Sequence, residues 1–273
     1  MMVELGGRVV IVTGAAQGLG RAMSLGLLQA GARVVAADLG SNPAIAELPG
    51  LARTLGAADR LIVAPGDVTD PAQAKAIVQA AVDAFGAVDG LVNNAGLGMN
   101  GITTKILTDP KLFYQLEPEQ WASVIRVNVN GPFMMAHAAS QVMIARGRGM
   151  IVNILTSRAT MIMRGFSPYG PSKAALEAAT AVWAQDLAGT GVTVNALLPG
   201  GAADTSMIPQ EESVDRSKLI QPEAMVAPVR WLMSAHADDI TGRRFIATDW
   251  RDDIAANQVA ANLGRDLGWP NTV

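Results

Sequence analysis

The stretch YGPSK at residues 169 to 173 places a tyrosine and a lysine four residues apart. On a helix, residues at i and i+4 share one face, so the phenol of Tyr169 and the ammonium of Lys173 would be neighbours. A free phenol has a pKa of about 10, which is too high for it to act as a base at neutral pH. A nearby cation favours the phenolate and lowers that pKa by about 1–3 units. The pair is therefore a candidate for proton transfer.

Pro171 lies between the two residues, where a helix is easily broken. The N–H groups of a first helical turn have no helical partner, so a proline there removes no hydrogen bond. Gly170, which precedes it, has no Cβ to clash with the proline ring. The sequence therefore predicts that a helix begins at about residue 171.

Short β-branched segments alternate with longer segments of helical period along the whole chain. The short segments predict seven strands, at residues 8–13, 33–37, 61–64, 88–92, 150–155, 192–197 and 244–247. The longer segments predict helices at residues 19–30, 71–85, 118–145, 171–188 and 222–234. Such alternation is typical of a parallel sheet with right-handed crossovers. We expect one doubly wound α/β domain over residues 1–273, with a parallel seven-stranded sheet and helices on both faces.

Two long stretches, residues 97–118 and 199–222, lack a clear period and follow predicted strands. Doubly wound sheets bind ligands at the carboxyl ends of their strands, so both stretches are candidate substrate loops. Apolar residues in and near these loops could form a substrate wall, although for any single methionine ordinary core filling is the favoured interpretation. These residues are Leu97, Met99, Met161, Met163, Phe166 and Met207.

The segment TGAAQGLG, residues 13–20, joins the first strand to the first helix. Glycines at 14, 18 and 20 allow a tight turn around Gln17 and Leu19 and a close approach of the backbone to a pyrophosphate. The helix N-terminus then offers free N–H groups and a favourable dipole. Because the turn has a strand before it and a helix after it, dinucleotide binding is favoured over a plain glycine-rich turn.

Asp38 ends the second strand, 18 residues after Gly20. A carboxylate at this point can accept hydrogen bonds from the hydroxyls of an adenosine ribose, and it would repel a 2′-phosphate. No basic residue stands at Gln17, Leu39 or Gly40 to bind that phosphate. The sequence thus favours NAD over NADP, unless Asp38 serves only as a turn residue.

Composition narrows the class of protein further. The net charge of −3 and the lack of a basic run give no support for binding to nucleic acid or a membrane. The chain has no cysteine and two histidines, so no metal site is predicted. The first residues lack a secretory pattern, and no apolar run approaches the ~18 residues of a membrane span, so we expect a cytoplasmic protein.

Four motifs in order, TGAAQGLG, NNAG at 93–96, YGPSK and LPG at 198–200, resemble the short-chain dehydrogenase/reductase family. The resemblance implies a Rossmann fold and NAD-dependent transfer of a hydride between a secondary alcohol and its ketone. It implies that Tyr169 is the general acid/base and that Lys173 holds the nicotinamide ribose. Lysine suits this role because a compact ammonium can also hydrogen-bond hydroxyls.

The resemblance also assigns the remaining site positions. The family serine that contacts substrate falls on Thr156, with Ser157 as a rival, and the water-holding asparagine falls on Asn128, which could instead be a helix-interior amide. Further cofactor contacts are implied at Asp67, Val68, Asn94, Ala95, Gly96, Pro199 and Gly200. Asp67 could otherwise be only a turn former.

Two other functions stay open on the sequence. One is a dinucleotide-binding sensor or scaffold that has lost catalysis, which the threonine at 156 motivates. The other is an NADP-dependent carbonyl reductase of the 3-oxoacyl type. The expected partners are a small alcohol or ketone and further copies of this chain, because the family forms tetramers or dimers through the helices near 118–145 and 171–188.

Overall fold

Buried β-branched segments form the centre of the protein, whose computed structural model describes residues 4–210, 214–251 and 253–268. In chain order, the strands of the described residues are β1 (Val9–Thr13), β2 (Arg33–Asp38), β3 (Leu61–Pro65), β4 (Gly90–Asn93), β5 (Gly149–Ile154), β6 (Val192–Leu198), β7 (Arg243–Ile246) and β8 (Arg265–Asp266). They form one sheet in the order β3-β2-β1-β4-β5-β6-β7-β8. The pairs from β3 to β7 are parallel, which confirms the predicted doubly wound sheet.

The eighth strand corrects the expected number of seven. β8 has two residues, Arg265 and Asp266, and pairs antiparallel with β7. Both residues are charged and exposed, so no alternation of apolar residues marks this strand in the sequence. It is held instead by long-range contacts, including the ion pair between Arg243 and Asp266.

Helices cover both faces of the sheet. They are α1 (Gly18–Gln29), α2 (Leu48–Thr54), α3 (Pro71–Phe85), α4 (Pro118–Ile125), α5 (Gly131–Ala145), α6 (Arg158–Met161), α7 (Tyr169–Asp186), α8 (Val226–Leu232) and α9 (Val259–Leu263). Successive residues of β1 pack on opposite faces of the sheet. Val10 and Val12 pack on the side of α1 and α8, whereas Val9 and Ile11 pack on the side of α3 and α5. Because both faces are covered, this strand is apolar throughout.

The predicted helix at 118–145 is interrupted. A π-helical segment, Arg126–Asn130, separates α4 from α5. Pro132 follows within one turn, and a proline has no N–H to donate to the carbonyl four residues earlier, which favours such a local change of pitch. The short helices α2, α6 and α9 were not predicted, since each has seven residues or fewer and therefore little period.

The order of the sheet reverses beside β1, because the chain moves from β1 to β2 and β3 on one side and then returns to β4 on the other. The carboxyl ends of β1, β2 and β4 therefore surround a crevice, as in other doubly wound sheets. Residues 97–118 leave the end of β4, and residues 199–222 leave the end of β6; positions 211–213 of the second stretch lie outside the described residues. In the part of the chain that the structure describes, no helix is both long and apolar enough to cross a membrane.

Candidate active site

The glycine turn between β1 and α1 lies against the end of β4. Gly14 and Gly18 have φ angles of +63° and +54°, a region that favours glycine. A Cβ on Gly14 would lie 2.9 Å from the side-chain nitrogen of Asn94, and one on Gly20 would collide with the carbonyl of Gly14. All three glycines are thus required by the local geometry.

A short hydrogen-bond network fixes this turn to the neighbouring strand. The hydroxyl of Thr13 accepts from the backbone N–H groups of Asn94 and Ala95, at 3.0 Å each. The Asn94 amide donates in return to the carbonyls of Thr13 at 2.9 Å and Gly14 at 3.1 Å. The ends of β1 and β4 therefore form one rigid corner of the crevice.

Asp38 closes the other corner of the crevice at the end of β2. Its carboxylate accepts from the backbone N–H of Ala16 at 2.9 Å and of Leu39 at 2.8 Å, and from the Asn42 amide at 3.3 Å. Arg21 reaches the same turn, but its guanidinium pairs with Glu47 at 3.0 Å and donates to the carbonyl of Ala16 at 2.7 Å. The carboxylate is therefore held in place with no cation paired to it among the described residues.

Most of the predicted cofactor residues line a single cleft at this crevice. These are Gly14, Gln17, Gly18, Leu19, Asp38, Asp67, Val68, Asn94, Ala95 and Gly96. Gly20 lies beneath the turn. Pro199 and Gly200 lie at the end of β6, where Pro199 accepts from the backbone N–H of Thr248 at 3.2 Å.

Three residues of the second loop, Thr205, Ser206 and Met207, also line the cleft, and the sequence did not assign them to the cofactor. A Cβ on Gly18 would lie 3.1 Å from the Thr205 methyl. The Gln17 amide donates to the Ser206 hydroxyl at 3.1 Å. The loop thus lies directly over the glycine turn. The sequence signal was weak because the stretch 199–222 has no clear period.

The proton-transfer pair lies at the start of α7, whose first residue is Tyr169. Pro171 occupies the first turn, as expected. The ammonium of Lys173 lies 6.0 Å from the centroid of the Tyr169 ring. Burial raises the pKa of the Tyr169 phenol, and a hydrogen bond from the Thr156 side chain lowers it in part. Burial therefore outweighs this hydrogen bond, whereas the sequence led us to expect that a nearby cation would lower the pKa of the phenol.

Thr156 and Ser157 have different surroundings. The Thr156 side chain contacts the Tyr169 phenol. The Ser157 hydroxyl caps α6, where it accepts from the backbone N–H of Thr160 at 3.0 Å and shares a hydrogen bond of 2.8 Å with the Thr160 hydroxyl. The geometry brings Thr156, and not Ser157, to the phenol.

Lys173 is buried, and its ammonium donates to the carbonyl of Ile154 at 2.9 Å. Burial lowers the pKa of this ammonium to about 8. A Cβ on Gly96 would lie 3.7 Å from the Lys173 ammonium and 3.2 Å from the Asn128 side-chain oxygen. Gly96 thus joins the cleft to the proton-transfer pair.

The side chain of Asn128 is fully used by protein groups. It accepts from the backbone N–H of Leu97 at 2.8 Å, and it donates to the Leu97 carbonyl at 2.9 Å and to the Ser172 hydroxyl at 3.0 Å. Ser172 in turn donates to the carbonyl of Tyr169 at 2.7 Å. The backbone carbonyl of Asn128, in the π-helical segment, is four residues before Pro132, which has no N–H to donate.

The predicted substrate wall separates into three groups, of which Phe166 and Met207 form the half-buried one. Met99 and Met161 are buried and fill the core, whereas Leu97 and Met163 are exposed. Other large apolar side chains near these loops are also exposed, most of all Ile162 at 82% and Phe113 at 74%, and the sequence analysis did not single them out. Surface exposure of single residues depends on tertiary packing, which composition does not reveal.

A family model described as short chain dehydrogenase matches residues 8–215. The chain belongs to the short-chain dehydrogenase/reductase family. As a member of this family it is an oxidoreductase that acts on CH–OH groups and binds NAD(H) or NADP(H). Enzymes of the family act on small molecules.

Relatives in the family carry different substrate names. The 3-oxoacyl-[acyl-carrier-protein] reductase of Thermotoga maritima is 32% identical, over 88% of this chain and 96% of the relative. The fluoren-9-ol dehydrogenase of a Terrabacter species is 30% identical, over 97% of this chain and 77% of the relative. A solved 3-ketoacyl-(acyl-carrier-protein) reductase from Brucella melitensis, complexed with NADH, superposes with a TM-score of 0.73 at 26% identity, and the match covers 88% of this chain and 96% of that one.

Proposed function

We propose that this short-chain dehydrogenase uses NAD to interconvert a secondary alcohol and its ketone. The observation that carries the proposal is the contact of the Thr156 side chain with the Tyr169 phenol, in a place where the Lys173 ammonium lies 6.0 Å from the same ring. A hydroxyl, a phenol and an ammonium beside a nucleotide-sized cleft are the groups needed to hold an alcohol oxygen and move its proton.

In the oxidation direction, the Tyr169 phenolate takes the proton of the substrate hydroxyl while the Thr156 hydroxyl donates to the same oxygen. Lys173 stabilises the phenolate and binds ribose hydroxyls, and the Asn128 carbonyl holds a water that connects the ammonium to solvent. A bound nicotinamide would supply the acceptor for the hydride that leaves the carbinol carbon. Ketone reduction is the reverse, so Tyr169 must then start as the protonated phenol.

The preference for NAD rests on Asp38. Its carboxylate is fixed by two backbone N–H groups and has no paired cation among the described residues, so it would accept from ribose hydroxyls and repel a 2′-phosphate. Arg21 does not offset this charge, because its guanidinium already pairs with Glu47. The complex of the Brucella relative with NADH agrees with this preference.

The substrate is proposed to be an apolar secondary alcohol bound between the loops 97–118 and 199–222, within one domain that spans residues 1–273. Leu97, Met163, Ile162 and Phe113 supply exposed apolar surface in and near these loops. A polycyclic alcohol, of the kind named for the Terrabacter relative, would match such a surface better than a charged one.

We further propose a homodimer or homotetramer in the cytoplasm. Trp121 on α4, Phe133 on α5 and Val182 on α7 are each more than two-fifths exposed, although they are large and apolar. Such side chains on neighbouring helices fit a second copy of the same chain. Sedimentation velocity of the wild type should give a dimer or tetramer, and Phe133→Glu should yield a smaller species; a monomeric wild type would contradict the proposal.

The activity is tested with NAD and NADP against 2-octanol, 1-phenylethanol, cyclohexanol and fluoren-9-ol, with formation of the reduced cofactor followed by absorbance. Turnover with NAD of at least one alcohol is expected. Binding of NAD without reduction across the panel would favour a sensor. A parallel assay follows the oxidation of NADPH with the ketone ethyl acetoacetate. If this were the one reaction that is turned over, a 3-oxoacyl-type reductase would be favoured.

A further inference from the structure

A buried carboxylate lies one turn beyond the lysine on the face of α7 that carries the proton-transfer pair. Glu177 follows Lys173 at i+4 and is 0% exposed. One of its oxygens accepts from Arg158, from Nε at 3.2 Å and Nη2 at 3.1 Å. The other accepts from Nη1 of Arg244 at 3.4 Å. A buried charge is tolerated only when it is paired in this way, and the proposed chemistry uses none of these three residues.

The second terminal nitrogen of the Arg244 guanidinium, Nη2, reaches the active site. Arg244 lies on β7, its side chain is 5% exposed, and its Nη2 donates to the backbone carbonyl of Thr156 at 2.9 Å. A single planar guanidinium therefore connects the carboxylate of Glu177 to the residue whose hydroxyl contacts Tyr169. Because its two terminal nitrogens have a fixed geometry, the guanidinium sets both the position and the orientation of the Thr156 peptide.

Arg158 holds the same segment two residues further on. Besides Glu177, its Nη2 donates to the carbonyl of Asp266 in β8 at 2.8 Å. The segment 156–158 is thus fixed by α7, β7 and β8 together. Of the other charged groups on β7 and β8, Arg243 pairs with Asp266, and Arg265 pairs with Asp249 in the segment that follows β7.

We propose that Arg244, oriented by Glu177, is a positioning residue that keeps the Thr156 hydroxyl against the substrate oxygen and the Tyr169 phenol. This inference rests on the proposed function. Its physical basis is that a misplacement of about 1 Å in a reacting group lowers the rate by up to about 100-fold. The arrangement acts on the reaction through Thr156 and makes no contact with substrate of its own.

The test compares Arg244→Met with a matched control, Arg148→Met. Arg148 also pairs with a buried carboxylate, Asp89, at 2.8 Å, and Asp89 likewise has a second arginine, Arg146, at 3.7 Å. That cluster lies at the amino-terminal edge of the sheet, away from Thr156. With the most active alcohol of the panel, Arg244→Met should lower kcat/KM at least tenfold, and the Kd for NAD should stay within twofold. Arg148→Met should change neither value by more than twofold.

Two further readouts separate positioning from general destabilisation. Because the Thr156 hydrogen bond lowers the Tyr169 pKa, Arg244→Met should shift the rising limb of kcat/KM for alcohol oxidation to higher pH, while Lys173, which also faces the phenol, is unchanged. In a Thr156→Val background no hydroxyl remains to be positioned, so adding Arg244→Met should cost less than twofold further.

The inference would be overturned if the losses of kcat/KM from Thr156→Val and Arg244→Met were fully additive in free energy. It would also be overturned if the rising limb of the pH profile did not shift in Arg244→Met. If Arg244→Met does not fold, Arg244→Lys keeps the charge but not both terminal nitrogens, and it is subject to the same two criteria. Failure of the proposed function is recognised separately, because the wild type would then turn over no alcohol of the panel, or Thr156→Val alone would leave kcat/KM unchanged.

Discussion

The two halves of the carboxyl edge of the sheet are built differently. At the ends of β1, β2 and β4, the nucleotide half is fixed by backbone N–H groups and glycines, within motifs such as residues 13–20 and 93–96. At the ends of β5, β6 and β7, the substrate half is fixed by side chains distant in sequence, such as Arg244 and Thr156. Under the proposed function, the first half would hold the dinucleotide by main-chain geometry, whereas the second half could vary its chemistry by single substitutions.

The largest expected effect is on the substrate half. Tyr169→Phe removes the proton-transfer group, so kcat should fall by about 10²–10⁴-fold. The Kd for NAD, measured by quenching of tryptophan fluorescence, should stay within about twofold, because the nucleotide half is intact. Tyr114→Phe is the control, since Tyr114 is the other tyrosine and is exposed. A Tyr169→Phe enzyme that keeps kcat within about tenfold would refute the role of the phenol.

A smaller effect should separate the two adjacent hydroxyls. Thr156→Val should lower kcat/KM by about 10–100-fold, because a donor to the reacting oxygen is lost while the side-chain shape is kept. Ser157→Ala removes the cap of α6 and should cost about 1 kcal/mol of stability with little loss of activity. Steady-state kinetics and urea unfolding are measured for both variants. A larger loss of kcat/KM in Ser157→Ala than in Thr156→Val would show that Ser157 is the donor to the reacting oxygen.

In the nucleotide half, substitution of Asp38 tests which residue selects the cofactor. In Asp38→Asn the charge that repels a 2′-phosphate is gone and the hydrogen bonds to ribose are weaker, so the ratio of kcat/KM for NAD to that for NADP should fall by about tenfold. The pH dependence with NAD should not change, because Tyr169 and Lys173 keep their surroundings. Asp59→Asn, an exposed position outside the cleft, is the control. An unchanged ratio would show that Asp38 does not select the cofactor.

The smallest expected effect is a gain in stability. Burial lowers the pKa of Lys173 to about 8, so folding carries a cost for its charged form at pH 7. Lys173→Met removes that cost but leaves the Ile154 carbonyl without its donor, and the net gain should be about 1 kcal/mol in urea unfolding, together with loss of activity.

The sign of the pH dependence provides a check on Lys173. In the wild type the cost is fully present below pH 8 and disappears as the pH rises from about 8 toward the unfolded pKa of 10.5, so the advantage of Lys173→Met should shrink over that range. Lys75→Met, at an exposed position of α3, should show neither the gain nor its pH dependence. A constant difference between pH 7 and pH 10 would contradict the buried-charge account.

The residues that the sequence assigned to the cofactor come together in one cleft, because the motifs that carry them are short and each follows a strand. The glycines at 14, 18 and 20 stand within one turn of eight residues, and Asp38 ends its strand. The i, i+4 pair in YGPSK belongs to the substrate half but is equally short in sequence. The seven parallel strands followed from runs of β-branched residues for the same reason.

The substrate half was predicted less well because its contacts span the chain. The link from Glu177 to Arg244 joins residues 67 positions apart, and that from Arg244 to Thr156 spans 88. No local pattern records such pairs, and arginines at 158 and 244 are indistinguishable from solvated ones in sequence. The raised pKa of Tyr169 was missed for a related reason, since burial is a property of the folded state.

The two-residue strand β8 has a consequence for handling the protein. It covers the backbone of β7, whose other side is paired with β6, so without it β7 would present open N–H and C=O groups at the border of the sheet. Such a border recruits strands from other molecules and promotes aggregation. A truncation before residue 265 is therefore expected to precipitate during expression, and affinity tags are better attached at the amino terminus.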